Sequence, residues 1–206
     1  MATVREPVLH PTAIADLRPT QISVGMREVE AKRRAWAAKS GGKGAEWLGQ
    51  HMIPVILGPK GRPYVIDHHH LALALLREGQ EGVLTTVVAD LQRLEPESFW
   101  FNMDNRGWMH PFDAQGRRQG YEAVPKRIAD LVDDPYRSLA GELRGAGGYA
   151  KDTTPFSEFL WADFLRHRVD RALVDQQFEE AVKVAMQLAR GPEADYLPGW
   201  CGPVSR

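Results

Sequence analysis

An aspartate followed by three consecutive histidines, Asp67-His68-His69-His70, stands directly behind the apolar run Tyr64-Val65-Ile66 and ahead of a leucine- and alanine-rich stretch. A strand that ends in a carboxylate and delivers imidazoles to the first turn of a helix gathers polar side chains at one spot. Unpaired backbone N–H groups lie there too, and the helix dipole favours an anion. A phosphate suits that place. Asp67 is the candidate general base, or the ligand of Mg2+ or another divalent cation. His69 and His70 are candidate catalytic donors to phosphate oxygens, and His68 a phosphate contact. Metal ligation by Asp67 with the histidines competes with this reading, although neighbouring residues on a helix point in different directions and cannot all reach one ion. A purely structural role, one histidine capping the helix and another packing in the core, leaves three in a row incompletely explained. The functional reading predicts that replacing His69 and His70 by alanine abolishes phosphate binding and leaves folding nearly intact.

Two further segments offer donors. In Arg18-Pro19-Thr20-Gln21-Ile22-Ser23-Val24-Gly25, the side chains of Arg18, Thr20 and Gln21 precede a helix. Glu28 near the start of that helix is a candidate base or orienter. An acidic first turn is also ordinary helix stabilisation. Downstream, Asp133-Asp134-Pro135-Tyr136-Arg137-Ser138 is followed by Arg144, Lys151, Glu158 and Asp163. Asp134 before Pro135 reads as a helix cap that needs no ligand. The stretch Gly145-Ala146-Gly147-Gly148-Tyr149-Ala150-Lys151 reads as a flexible loop. Folded over the histidines, it would let Lys151 and Arg144 neutralise phosphate charge.

The elements that must position these groups read as follows. Val8 to Thr12 is a short strand, and the two prolines Pro11 and Pro19 forbid a continuous helix through the opening segment. Helix formers dominate Met26 to Lys39, between Gly25 and Ser40-Gly41-Gly42. The basic run Lys32 to Arg34 within it reads as a solvated face. Ile53-Pro54-Val55-Ile56-Leu57 and Tyr64-Val65-Ile66, separated by Gly58-Pro59-Lys60-Gly61, make a β-hairpin. Leu71 to Gly79 reads as a helix ending at its glycine, and Leu84 to Leu91 as another strand. Glu97 to Tyr121, rich in Trp, Asn, Asp, Gly and Pro, has no clean period and reads as a long ordered loop. Helical patterns then cover Lys126 to Val132, Ser138 to Arg144, Phe156 to Arg168 and Leu173 to Arg190, with an irregular tail after Gly191. Leu160, Trp161, Phe164 and Leu165 form an apolar stripe.

With 206 residues, 43% of them hydrophobic, the chain can bury a substantial core without disulfides or metals. The 26 Lys and Arg residues nearly balance 27 Asp and Glu. A nucleic-acid partner is therefore open but not indicated by net charge, and any such contact would be local. The single Cys201 lies in the Gly/Pro-flanked tail, an unsuitable place for a structural disulfide or a catalytic thiol. No run approaches the roughly 20 apolar residues of a membrane span, and a cytoplasmic protein is expected.

The combination of Pro19-Thr20-Gln21, Val24-Gly25, an apolar hairpin with Tyr64-Val65-Ile66-Asp67-His68-His69-His70 and an Ala-rich helix resembles the ParB/sulfiredoxin superfamily over about residues 8 to 91. More closely it resembles the ParB-like nuclease branch. That branch carries an Asp-x-His-His turn and continues into segments like Asp134-Pro135-Tyr136-Arg137-Ser138 and Phe156-Ser157-Glu158-Phe159-Leu160-Trp161. The resemblance implies an α+β fold: a phosphate-binding α/β core over residues 1–95 with a loop and helical extension, 96–206, packed on it. It implies as ligand a nucleotide such as ATP, ADP or CTP, or a phosphorylated small molecule, and phosphate-ester chemistry. A nuclease, a small-molecule kinase similar to free-serine kinase, and a non-catalytic nucleotide-sensing module all remain open. Sulfiredoxin chemistry is excluded, since Ile66-Asp67 stands where that enzyme has its cysteine. Partition activity is disfavoured, because the turn carries histidines and no basic recognition helix follows.

Overall fold

The computed structural model describes residues 9–39 and 44–203. Its main sheet is built from β1 (Leu9–Ala13), β3 (Ile53–Leu57), β4 (Pro63–Val65) and β5 (Gly82–Asp90), in the order β1-β5-β3-β4. The β3–β4 hairpin is antiparallel and turns through Gly58 to Arg62, with Lys60 in the left-handed region at φ 64°. β5 returns parallel to β3 after a helical crossover and pairs antiparallel with β1. A second, two-stranded parallel sheet joins β2 (Ser23–Val24) to β6 (Val132–Asp133). The fold is thus α+β, as read from the sequence. Val8, the first residue of the expected opening strand, lies outside the described residues, as does Ser40.

One face of the sheet is covered by α1 (Met26–Ala37) and α3 (His69–Arg77). Val29, Leu71, Ala72, Leu73 and Leu75 bury against Ile53, Val55 and Val65 there. The helix α2 (Gly44–Gln50), absent from the sequence reading, adds Trp47 to this core through a ring contact with Trp36, 5.4 Å between centroids. The other face is covered by α4 (Pro96–Asn105). This helix corrects the expectation of one long loop from Glu97 to Tyr121. Pro96 opens it, and Phe99 and Met103, one turn apart, pack on Ile56 and Tyr64. Two apolar positions decide its buried face, too few for a visible period among polar and aromatic neighbours.

The remaining helices, α5 (Pro135–Gly145), α6 (Ser157–Arg166), α7 (Arg171–Gln176) and α8 (Phe178–Ala189), form their own core around Trp161, Phe164, Leu139 and Ala185. Asp134 caps α5 by accepting from the Tyr136 amide at 3.0 Å, as its place before proline predicts. It also pairs with Arg166 at 2.6 Å. Three expectations need correction. Lys126 to Val132 is not a helix: only Ile128–Asp130 makes a 3-10 turn, because Val132 extends to donate to the Ile22 carbonyl in the β2–β6 pairing. Leu173 to Arg190 is broken at Gln177, whose φ −139° ends one helix before the next. Leu160 faces solvent at 45% exposure, outside the buried stripe of its neighbours. Past Gly191 the tail is largely irregular but not detached, since Ala194 and Leu197 join the helical core.

The two halves meet where α1 approaches α5. A Cβ on Gly25 would stand 2.8 Å from the Ser138 amide and 2.9 Å from its Oγ. Gly25→Ala should therefore push the helices apart and lower stability by about 1–3 kcal/mol. In urea unfolding this is a lower midpoint at unchanged slope.

Candidate functional site

The strand-to-helix turn is fixed by its own polar atoms. Asp67, at the surface, accepts from the His68 amide at 2.6 Å through Oδ1. His68 takes the left-handed conformation, φ 66°, and its Nδ1 lies 3.0 Å from the Met52 carbonyl. The helix α3 begins at His69, and its first intrahelical bond runs from Ala72 N to the His68 carbonyl. The amides of His69, His70 and Leu71 therefore precede the ladder, at the positive end of the helix.

The histidines that follow do something other than donate to a ligand through Nε2. His69 is 3% exposed, and its Nε2 accepts from the Thr20 backbone amide at 3.1 Å. His70 is 7% exposed, and its Nε2 accepts from the Gly25 amide at 3.0 Å. Each imidazole thus ties the incoming 18–25 segment to α3. Accepting an N–H requires an unprotonated Nε2, which places the ring proton on Nδ1. Burial pushes the His69 pKa down to about 3, and it holds His70 well below the usual range, helped by the nearby Arg137 charge. Both rings are neutral near pH 7. The Nε2 atom of His70 stands 3.6 Å from Glu28 Oε2 as a neutral neighbour.

Around this turn opens a cleft of about 470 Å³. Of the residues singled out from the sequence, Gln21, Glu28, Asp67, His68, His69, His70, Arg144 and Lys151 all line it. Lys151 lines the same cleft as the histidines, and the segment carrying it is anchored. Tyr149 stacks on Trp161 at 4.3 Å and donates to the Ala140 carbonyl, which corrects the expectation of a flexible loop. Two expected contacts are displaced. Thr20 is fully buried behind His69, its hydroxyl donating to the Val65 carbonyl at 2.6 Å. Arg18 leaves the cleft altogether, donating to the Lys126 carbonyl and lining a separate groove.

Arg137, quoted from the sequence within the Asp133 to Ser138 segment but given no role there, also lines the cleft. Arg137 is 6% exposed, and its Nη2 lies 3.3 Å from Glu28 Oε2. Its guanidinium sits 5.4 Å from the centre of the Phe159 ring, and its Nε and Nη1 are buried with no hydrogen-bond partner. Donors left this way cost about 1–3 kcal/mol, which an acceptor would recover. The signal for Arg137 was present: Asp134-Pro135 fixes where α5 starts, and Arg137 and Arg144 then lie two turns apart on one face. Lys32, read as part of a solvated face, also lines the cleft, 3.6 Å from Glu28. Arg144 is held by Glu158 across the opening.

Four cations, Lys32, Arg137, Arg144 and Lys151, thus face four carboxylates, Glu28, Asp67, Asp152 and Glu158. Among the described residues no group of three or more His, Cys, Asp or Glu is placed to hold a metal ion. Asp67 is exposed, whereas Glu28 and Glu158 are partly buried in ion pairs with Arg137 and Arg144.

A mixed sheet covered on one face by α1 and α3, with a strand-to-helix anion turn and a helical extension closing the cleft, is the architecture of a ParB-like protein. The chain belongs to the family described as "Putative ParB-like nuclease", which matches residues 10–167 and so spans the cleft from Gln21 to Phe159. It is similar to protein Atu1540 from Agrobacterium tumefaciens, whose crystal structure aligns with a TM-score of 0.89 at 56% sequence identity, covering 96% of this chain and 99% of that one. No curated protein matches it.

Proposed function

We propose that the cleft binds a small phosphate ester of the nucleotide type, such as ATP, ADP or CTP, and that the protein carries out phosphate-ester chemistry on it. The observation that carries this reading is the buried Arg137 guanidinium with two N–H groups lacking acceptors, on the cleft that also receives the amino end of α3. A shift of the buried side chain on binding would bring these N–H groups to phosphate oxygens in charge-assisted bonds. Lys151, which makes no ion pair among the described residues, offsets part of the remaining negative charge. Glu28, oriented by Arg137 and Lys32, is the base positioned to take a proton from an attacking hydroxyl or water. The histidines hold the 18–25 segment and the helix end in place.

The family description favours a nuclease. The lining favours a small ligand, because a polynucleotide backbone is tracked by a stripe of cations and here the four cations are equalled in number by four acids. Thermal shift with ATP, ADP, CTP and single-stranded DNA, each with and without magnesium, separates the two. A mononucleotide at 100 times its dissociation constant should add about 2.7 kcal/mol of stability. Stabilisation by DNA alone would favour the nuclease, and no response to any ligand contradicts both.

A further inference from the structure

Arg18, set apart from the main cleft, lies in a second groove of about 490 Å³. Thr85 and Val87 of β5 and Leu57 of β3 line this groove. The Thr85 hydroxyl is already engaged, donating to the His10 carbonyl at 3.1 Å and 2.9 Å from Thr12 Oγ, so on this part of the floor Thr85 offers its methyl group beside Leu57 and Val87. The charged lining is two cations, Arg18 and Arg62, against one acid, Asp16.

Arg18 is held rigidly. Its amide donates to the Pro63 carbonyl at 2.9 Å, and its own carbonyl accepts from Val65 N at 2.8 Å. At the guanidinium, Nη1 is taken by the Lys126 carbonyl, while Nε is buried without a partner. What remains open is Nη2, which can donate to one oxygen of a carboxylate in a charge-assisted bond.

We propose that this groove is a second binding site, for a small monocarboxylate with an apolar body, its carboxylate on Arg18 and its body on Leu57 and Val87. One net positive charge fits a single negative charge better than a phosphate dianion. It is a site separate from the phosphate cleft and does not depend on what binds there.

The test uses benzoate and its neutral counterpart benzamide, followed by amide chemical shifts of the full chain. Benzoate should bind with a Kd on the order of 1 mM, shifting the amides of Arg18, Thr85 and Val87. Benzamide should bind at least tenfold more weakly. Arg18→Gln should lose benzoate binding by at least tenfold, as should Val87→Phe, which fills the groove and keeps the proposal testable if the arginine variant fails to fold. Arg137→Gln should bind benzoate as the wild type does. No saturable shift, equal binding of benzamide, or shifts centred on Arg137 and Lys151 would each overturn the proposal.

Discussion

Replacing Arg137 by glutamine is expected to weaken binding of ADP by about a hundredfold while changing folding stability by less than about 1 kcal/mol. A hydrogen bond to a charged group contributes about 1.5–3 kcal/mol, and each 1.4 kcal/mol is tenfold in affinity. Loss of one or two phosphate contacts accounts for the size of the effect. The folding cost is small because the lost side chain carries two N–H groups that already lack acceptors, and Glu28 keeps Lys32 at 3.6 Å. Arg137→Lys preserves the charge but not the fork, and should recover only part of the affinity. Isothermal titration of the three proteins, with urea unfolding of each, checks both halves. A glutamine variant that binds ADP normally removes Arg137 from the site.

The buried histidines should show the opposite pattern, a large effect on folding. His69→Ala is expected to cost about 3–5 kcal/mol, since it opens a cavity and leaves the buried Thr20 amide without its acceptor. This reverses the expectation from sequence that the His69 and His70 double variant folds nearly normally. The rings are keystones between α3 and the 18–25 segment, so binding would be lost through misfolding as well as through the site.

The same burial sets a pH dependence. His69 and His110 each titrate at about 3 in the folded chain against 6.5 in a model peptide, in both cases chiefly through burial. Between these values the unfolded chain binds the extra proton, so stability is fully present above about pH 6.5 and is lost as pH falls toward 3. The slope is about 1.4 kcal/mol per pH unit for each ring. His110 stacks on Phe159 at 4.0 Å and Phe112 at 4.6 Å, so a phenylalanine in its place should pack well. Urea unfolding at pH 7, 6 and 5 should show His110→Phe losing about 2 kcal/mol of the wild-type decline over that range. An unchanged slope would mean that His110 is not buried in its neutral form.

Much of this arrangement was legible in the residues. The hairpin, α1, α3 and β5 follow from turn signals and apolar runs, and the Asp67 to His70 turn marked the place of the cleft. What hid the rest was physical. A pattern identifies a helix face only when several apolar positions repeat, and α4 is placed by two, Phe99 and Met103. Ile22 and Val132 lie far apart in sequence, so the pairing that turns an expected helix into β6 is invisible locally. Loop residues have no period to say which way they point: Arg18 goes to one groove, Thr20 inward and Gln21 to the cleft, within four positions. Histidines in a row suggested ligand contacts, but type and spacing do not tell a donor to phosphate from an acceptor for a backbone amide. Arg137 was legible in phase with Arg144 once the Asp134 cap fixed the start of α5.

The most direct test of the central claim is a crystal structure of the full chain with a non-hydrolysable ATP analogue. Phosphate oxygens should lie within about 2.7–3.2 Å of the Arg137 guanidinium, with others at the His69 and His70 amides. A phosphate seated away from Arg137, or bound only at the groove of Arg18, would contradict the account.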